Sequence, residues 1–247
     1  MSPPTLSVVL PARNAAATIE RATRSILGST HRELELIIID DGSTDDTAEV
    51  IRQIDDPRLR LIQQEPGGVC AAANRGTNEA RAPVIARMDA DDFSHPKRLE
   101  KQLDLLRQSN VNMVGCRFRI IDALGQAVTS LQRYEQWSNA LTEPARIVAM
   151  RFVELPIVNP TLMAKREVFE LGYREGAWPE DYDLCLHALG QGFKAAKVPE
   201  VLFDWIDSGQ RLTRNDPRYS PEAFDRCRRT HLINGPLRGI REVDLWG

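Results

Sequence analysis

The stretch LELIIIDDGSTDDTAEVIRQI at residues 34–54 decides the fold class. It begins with a mainly apolar run, broken only by Glu35, passes through a Gly-Ser-Thr turn and continues into a segment that opens with Thr and acidic residues. Such an opening is typical of a helix N-terminus, where negative charge complements the helix dipole. An apolar run without polar alternation is expected for a strand that is covered on both faces of its sheet. The stretch therefore predicts a strand at 34–40 that leads through a turn into a helix.

The same unit recurs along the first hundred residues. Further strands are predicted at 6–12, 59–64 and 83–88, and helices with one apolar face at 15–29 and 95–109. Strands that alternate with helices in this way form mainly parallel sheets with right-handed crossovers. The fold class is therefore α/β, with a mainly parallel central sheet flanked by helices.

The second half of the chain is less regular. It predicts strands at 111–121 and 161–165, a helix at 179–192, and a closing β-hairpin or pair of strands at 192–205. The segment at 137–160 is rich in Trp, Glu and Pro and follows no clear period, so we expect irregular loops there.

Composition excludes several classes of protein. The chain has 247 residues, 42% of them hydrophobic, and a net charge of −3, which is ordinary for a soluble globular protein and too acidic for a typical nucleic-acid binder. Its four cysteines show no C-x-x-C spacing, which indicates neither a zinc site nor a disulfide framework and favours a cytoplasmic location. No signal peptide and no apolar run of 18 residues is recognisable.

Four loops are predicted to meet at one edge of the sheet. They follow the first four strands and read PARN (11–14), DDGSTDD (40–46), EPGGVCAAANRG (65–76) and DADD (89–92). Loops that leave the carboxyl ends of parallel strands form the ligand site of such sheets. Two of the loops carry carboxylates and two offer Gly, Asn and Arg, which suits a polar ligand that holds a base and phosphates.

The DADD loop crowds three aspartates together. Asp89, Asp91 and Asp92 repel one another unless water or a cation compensates them. Carboxylates on alternate residues suit a hard divalent cation such as Mg²⁺ or Mn²⁺. An EF-hand loop is excluded by Phe93 and Ser94, which occupy positions that need a ligand and a glycine. A surface turn or a helix cap remains an alternative for such a triplet.

The DDGSTDD loop has two interpretations. Asp40 or Asp41 at the strand end is placed to accept hydrogen bonds from a nucleobase N–H or from ribose hydroxyls. The alternative is a turn at Gly42 with Ser43 or Thr44 capping the next helix, which we favour for the second half of the loop.

Five segments together resemble a known family. SVVLPARN, LIIIDDGSTDDT, AAANRG, ARMDADDFSHPKRLEKQ and PEDYDLCLHALGQGF, in this order, are similar to the motifs of family 2 glycosyltransferases, which have the GT-A fold. The resemblance covers residues 6 to about 205. It implies a nucleotide-diphosphate-sugar donor, with uridine the expected base, and a Mn²⁺ or Mg²⁺ ion. It also implies transfer, with inversion, to a saccharide or lipid-linked acceptor.

The resemblance assigns roles to individual residues. Asp91 would ligate the metal, together with Asp89, which alternatively faces the ribose. Asp181 in PEDYD would be the general base, with Glu180 beside it near the acceptor. The implied nucleotide-binding set is Pro11, Ala12, Arg13, Asp41, Asn74, Asp89 and Ala90, with Asp40 a less favoured alternative to Asp41.

Other residues near these motifs have a structural alternative. PEDYD would also serve as an acidic helix start, in which Asp183 is structural. Trp178 and Trp205 would stack on a sugar or simply pack. Asp92 and His95 are expected to cap or lead into the following helix.

The chain departs from the family pattern at three places. Arg13 stands where an aromatic residue is common, and Ala73 replaces the usual Arg, whose contact is lost or supplied by Arg75. The segment DWIDSGQRLTR lacks the usual Tyr-Arg and His, so Arg211 or Arg214 would provide the charge for the diphosphate. These departures keep open a nucleotide-sugar-binding module without turnover. A sugar nucleotidyltransferase is a further alternative, although the expected Gly-rich loop with Lys is not recognisable.

The expected organisation is one domain with an appendage. Residues 1–208 form the GT-A domain, with a nucleotide-sugar half at about 1–110 and an acceptor half at about 111–208. An Arg-rich helical appendage at 209–247 follows. A solvated helix face explains its positive charge, and peripheral contact with the inner face of a membrane is the alternative. Since VDLWG at 243–247 resembles the start of a strand, we expect the chain to be part of a longer protein.

Overall fold

A computed structural model describes residues 3–209 and 211–242 of the chain. Eight strands form one sheet. They are β1 (Leu6–Ala12), β2 (Leu34–Asp41), β3 (Leu59–Gln64), β4 (Val84–Arg87), β5 (Phe93–Ser94), β6 (Met113–Ile121), β7 (Met163–Lys165) and β8 (Ala195–Ile206).

Helices cover both faces of this sheet. They are α1 (Ile19–Leu27), α2 (Thr47–Arg52), α3 (Gly68–Glu79), α4 (Arg98–Gln108), α5 (Gln132–Ala140), α6 (Pro144–Met150), α7 (Arg166–Phe169), α8 (Glu180–Gly190), α9 (Leu212–Asn215) and α10 (Pro221–Asn234). Short 3-10 helices lie at Thr129–Leu131, Asn159–Thr161 and Pro217–Tyr219.

The strand order is β3-β2-β1-β4-β7-β6-β8-β5. The first four strands in this order are parallel, with Leu6 opposite Leu34 and Leu36 opposite Leu59. Strand β7 joins the two halves of the sheet by pairing antiparallel with both β4 and β6, and β6 then pairs parallel with β8. The predicted α/β architecture with a mainly parallel sheet is confirmed.

Alternate residues of the central strands face opposite layers of helices. Val8 and Leu10 belong to one buried cluster and Val9 to the other, and Ile38 and Ile39 of β2 divide in the same way. All these side chains are fully buried. Since both faces are largely apolar, the central strands show no regular polar alternation.

Two predictions for the second half are corrected. The segment at 192–205 forms the single strand β8 and not a hairpin. Cys116 lies opposite Val198 but Arg117 lies opposite Val201, so Pro199 and Glu200 form a bulge instead of a turn. A bulge is a position at which a strand tolerates proline. The segment at 137–160 contains the last four residues of α5 and all of α6, and is irregular between and after these helices.

The C-terminal segment packs against the second half of the domain. Helix α10 lies on α8, where the Phe224 and Tyr182 rings are 5.5 Å apart, and Cys227 of α10 is fully buried. The strand expected at 243–247 lies outside the described residues. Within the described part of the chain, we find no helix with the length and apolar character needed to cross a membrane.

Candidate active site

A cavity of about 810 Å³ opens at the carboxyl ends of β1, β2 and β4. This volume is within the range of small-molecule sites. The loops after these strands form one wall, and the start of α8, the end of β8 and the C-terminal segment form the others. Of the predicted site residues, the lining includes Pro11, Ala12, Arg13, Asp41, Asp89, Ala90, Asp91, Glu180, Asp181 and Trp205.

Asp41 holds the loop between β3 and α3 against the cavity. Its carboxylate is almost fully buried and accepts hydrogen bonds from the Gln64 amide and from the backbone N–H groups of Gly67 and Gly68, each at 2.8 Å. Gly42 follows with a φ of +68°, and a Cβ there would lie 2.5 Å from Pro66. Position 42 therefore requires glycine, because any other residue would clash with Pro66. The turn that Gly42 allows keeps Asp41 at the cavity wall.

The loop after β1 is tied to the loop after β2. The Asn14 amide oxygen accepts a hydrogen bond from the Thr44 N–H at 2.9 Å, and Ser43 Oγ accepts one from the Asn14 N–H at 2.9 Å. Ser43 and Thr44 therefore join two loops and do not cap α2, which corrects that prediction. The turn itself is confirmed, because Asp40 accepts a hydrogen bond from the Ser43 N–H.

Arg211 lies among the three aspartates of the DADD loop. Its guanidinium donates to Asp92 at 2.7 Å and lies 3.6 Å from Asp91 and 3.7 Å from Asp89. It also stacks over the Trp205 ring at 5.0 Å. One of the two arginines suggested by the sequence therefore reaches the acidic loop. The other, Arg214, pairs with Asp207 instead.

Asp92 is a buried partner of the C-terminal segment. It is fully buried, and its Oδ1 accepts hydrogen bonds from Arg211 and from the Ile206 N–H at 2.9 Å. The prediction that Asp92 caps the next helix is therefore wrong, because burial beside β8 gives it stronger partners. His95 likewise does not cap α4; its Nε2 lies 2.9 Å from Asp204.

Asp89 and Asp91 differ from Asp92 in exposure. Their side chains are 30% and 31% exposed towards the cavity. Burial raises the pKa of Asp91, and Arg211 only partly offsets this effect. Burial alone would lower the pKa of the Arg211 guanidinium, but the attraction of Asp92 and the neighbouring aspartates is larger and raises it. The loop therefore holds more negative charge than its arginine compensates.

The N-terminus of α8 contributes two further acids. Glu180 is almost fully buried, and both its oxygens lie 2.8 Å from the Tyr219 hydroxyl, which donates to them. Asp181 lines the cavity, and the Tyr182 N–H donates to its Oδ1 at 2.7 Å. Burial, followed by the nearby Glu180, raises the pKa of Asp181 well above its usual value. Asp181 is thus a carboxylate with enhanced affinity for a proton.

Comparison with known proteins identifies the family. The chain matches the family description "Glycosyl transferase family 2" over residues 7–172. The chain belongs to glycosyl transferase family 2. This glycosyltransferase is 32% identical over 232 residues to the O-antigen biosynthesis glycosyltransferase WbnJ of Escherichia coli, covering 90% of this chain and 85% of the relative. The family resemblance inferred from the motifs is confirmed.

Solved structures show the same fold. The TarS 1–349 structure from S. aureus in complex with UDP-GlcNAc superimposes with a TM-score of 0.76 and 17% identity, covering 94% of this glycosyltransferase and 68% of TarS 1–349. The mannosyltransferase PcManGT from Pyrobaculum calidifontis, in complex with GDP-Man and Mn²⁺, gives a TM-score of 0.66 and 21% identity over 98% of this chain and 66% of that one. The GT-A fold is confirmed.

Two predicted residues lie outside the cavity of the glycosyltransferase. The Asn74 side chain is occupied by the backbone of Tyr173, to which it donates at 2.8 Å and from which it accepts at 2.8 Å. Trp178 packs against the cluster beneath α8. Arg75, suggested as a replacement for the family arginine, pairs with Glu79 on the exposed side of α3.

The sequence did not reveal several cavity residues. Arg87 is 1% exposed, lines the cavity and lies over the Tyr173 ring at 5.4 Å. Its Nε and Nη1 atoms are buried without a hydrogen-bond partner among the described residues. An arginine inside an apolar strand was a signal that could have revealed it. Arg218 and Tyr219 reach the cavity from the C-terminal segment, which sequence spacing could not foresee.

The acidic loop of the glycosyltransferase fits a hard divalent cation. Asp89 and Asp91 present carboxylate oxygens to the cavity, and their shared cation, Arg211, lies beyond hydrogen-bond distance of both. Mg²⁺ and Mn²⁺ favour such oxygen ligands, and Mg²⁺ often takes its remaining ligands from phosphates and water. These two residues are therefore the best candidates for metal ligands in the cavity.

Proposed function

We propose that the chain is an inverting, metal-dependent enzyme that transfers a sugar from a nucleotide-diphosphate-sugar to a hydroxyl of a saccharide or lipid-linked acceptor. The observation that carries this proposal is that Asp181 lines the same cavity as Asp89 and Asp91. A proton acceptor in the same cavity as carboxylates that would hold a cation for the diphosphate is what metal-dependent glycosyl transfer to a hydroxyl requires.

The donor is proposed to bind along the loops after β1 and β2. Pro11, Ala12 and Arg13 border the base, and Asp41 accepts its ring N–H through oxygens that the loop hydrogen bonds hold in place. The exposed Arg13 guanidinium stacks on the base or pairs with phosphate. A uridine diphosphate sugar is the first donor to test, as supported by the UDP-GlcNAc complex of TarS; the GDP-Man complex of PcManGT makes a guanosine donor the second.

Positive charge at the diphosphate comes from two sources in this proposal. Asp91 and Asp89 hold Mn²⁺ or Mg²⁺, which when bound supplies positive charge against the departing diphosphate. The buried Arg87, whose Nε and Nη1 are without partners among the described residues, is placed to donate to the same anion.

Asp181 is proposed to remove the proton of the acceptor hydroxyl. As that proton moves to the carboxylate, the acceptor oxygen bonds to the anomeric carbon and the bond from that carbon to the diphosphate oxygen breaks. A single displacement inverts the configuration of the sugar. The raised pKa of Asp181 strengthens it as a base, and Glu180, fixed by Tyr219, faces the acceptor beside it.

The acceptor is proposed to lie against the aromatic wall of the cavity. Trp205 and Tyr134 both line it, with ring centroids 6.2 Å apart in an edge-on arrangement. Aromatic faces suit sugar rings. The E. coli relative is named for O-antigen biosynthesis, which supports a surface polysaccharide or its lipid-linked precursor as the acceptor. Exposed arginines of α10, such as Arg226 and Arg229, would favour an anionic membrane surface nearby.

The proposal is tested by measuring release of nucleoside diphosphate from a panel of UDP- and GDP-sugars with Mn²⁺, with and without saccharide acceptors. Asp181→Asn should reduce transfer by at least about 100-fold, the typical contribution of a general base, while UDP binding stays unchanged. The control is Asp104→Asn, which alters an exposed acid on α4.

Two results would contradict the proposal. Transfer by Asp181→Asn at the wild-type rate would exclude that residue as the base. Nucleotide binding without sugar release under every condition would instead support a binding module.

A further inference from the structure

The side of α8 that faces α10 carries a second group of polar residues, separate from the cavity. Asp183 and His187 lie one helical turn apart on α8, and Cys227 and His231 lie one turn apart on α10. Residues four positions apart share a face of a helix, so each helix presents a pair of potential metal ligands. The two helices pack against each other.

Three of these side chains already converge. One ligand atom each from Asp183, Cys227 and His231 lies within 4.8 Å of the others, and His231 Nε2 is 2.9 Å from Asp183 Oδ1. Cys227 is fully buried and Asp183 is 1% exposed. The fourth, His187, has a buried Nδ1 without a hydrogen-bond partner among the described residues. A buried ring nitrogen without a partner is unfavourable unless something binds it.

We propose that Asp183, Cys227 and His231, with His187 as the fourth ligand after a side-chain rotation, bind a Zn²⁺ ion that fixes α10 to α8. A thiolate, two imidazoles and a carboxylate form the mixed sulfur, nitrogen and oxygen set that Zn²⁺ accepts in tetrahedral sites. The Cys227 thiol releases its proton to solvent when the metal binds. This chemistry differs from the all-oxygen site of Asp89 and Asp91.

Arg174 is compatible with this site. It donates to Asp183 Oδ2 at 2.8 Å and to Oδ1 at 2.6 Å, and its side chain is 45% exposed. The bond to Oδ2 can remain when Oδ1 binds the ion. Carboxylates that ligate metals are commonly held by such outer hydrogen bonds. Asp183 and the Cys227 thiolate together balance the charge of the ion, so Arg174 keeps its charge in solvent.

The site would stabilise one wall of the cavity. Tyr219, which donates to Glu180, lies just before α10, and Glu180 begins α8. Joining these two helices limits the movement of the segment that carries Tyr219 and Arg218. Zn²⁺ would therefore act as a structural ion, and the catalytic cation would bind elsewhere.

The test is zinc content and cobalt spectroscopy on the whole chain. After equilibration with Zn²⁺ and removal of free metal, we expect one zinc per chain, and Co²⁺ should produce a thiolate-to-cobalt charge-transfer band. Cys227→Ala and His231→Asn should each lower zinc affinity by at least about tenfold. Cys116→Ala and His31→Asn, a buried cysteine and a histidine remote from the cluster, should retain the ion and the band, as should Asp91→Asn.

Two results would overturn the proposal, and neither depends on activity. The first is absence of stoichiometric zinc in the wild-type chain together with absence of the cobalt band. The second is zinc binding that persists unchanged in Cys227→Ala. If Cys227→Ala does not fold, the presence or absence of the cobalt band in the wild-type chain still decides whether the site binds metal. A Zn²⁺-dependent rise in the Tm of the wild-type chain supports the structural role of the ion.

Discussion

Arg211 is predicted to stabilise the protein through Asp92. The Asp92 carboxylate is fully buried, and Arg211, 7% exposed, is the cation within hydrogen-bond distance of it. Replacing Arg211 by Met keeps the apolar contact with Trp205 but leaves Asp92 with only the Ile206 N–H as a donor. Breaking one partner of a buried ion pair costs about 3–5 kcal/mol.

The assay is chemical and thermal denaturation of the Arg211→Met variant. For a chain of this size, the loss corresponds to a Tm decrease of about 6–20 °C. Burial raises the pKa of Asp92, so the folded Arg211→Met variant favours the protonated, neutral form of this carboxyl group. The stability difference between the variant and the wild type should therefore become smaller as the pH is lowered. Arg214→Met is the matched control. Arg214 pairs with Asp207 at the surface, and such pairs contribute about 0–1 kcal/mol.

A double variant separates the ion pair from other effects of the mutation. Asp92→Asn combined with Arg211→Met removes both charges and leaves an amide oxygen for the Ile206 N–H, so it should recover most of the lost stability. If the double variant is no more stable than Arg211→Met, or if Arg211→Met unfolds like the wild type, the argument from the buried charge is refuted.

Two further predictions concern the proposed base, Asp181, and the loop proposed to position the nucleotide. Asp181 must be ionised to accept a proton, and burial raises its pKa. The value of kcat/KM should therefore fall as the pH decreases through that raised pKa. A profile that stays flat down to pH values near 4, about the ordinary pKa of Asp, would contradict this prediction. Gly42→Ala places a Cβ against Pro66 at positive φ, whereas the control Gly192→Ala adds a Cβ at positive φ with no atom within 4 Å. Gly42→Ala should therefore lower the free energy of unfolding by about 1–3 kcal/mol more than the control and should also weaken UDP binding. Equal effects of the two variants would contradict this prediction.

The first half of the fold was predictable because its signals are local. Strands β1, β2 and β4 are mainly apolar runs, and residues that line the cavity lie at or just after their carboxyl ends. Parallel pairing then brings these ends together without further information. Asp41, Asp89 and Asp91 could be placed at one site from sequence spacing alone.

The remaining walls depend on contacts between distant parts of the chain. Arg211 lies 119 positions after its partner Asp92, and Tyr219 lies 39 positions after its partner Glu180. No local pattern encodes such pairings. Pro199 misled the prediction of β8, because a bulge and a turn favour the same residues. Similarly, the proposed zinc ligands are divided between two helices, two on α8 and two on α10, and a search for C-x-x-C spacing cannot reveal such a set.

The charge of the cavity supports the proposed role of a cation in binding a diphosphate. Seven acidic residues line the described cavity against four arginines, an excess of three negative charges when all are ionised. Burial raises the pKa values of Asp91, Glu180 and Asp181, which shows that the protein alone compensates these acids poorly. A nucleotide diphosphate adds further negative charge to the same space. In the proposed function, a divalent cation at Asp89 and Asp91 would offset that charge, and it would also favour the ionised form of Asp181, the proposed base.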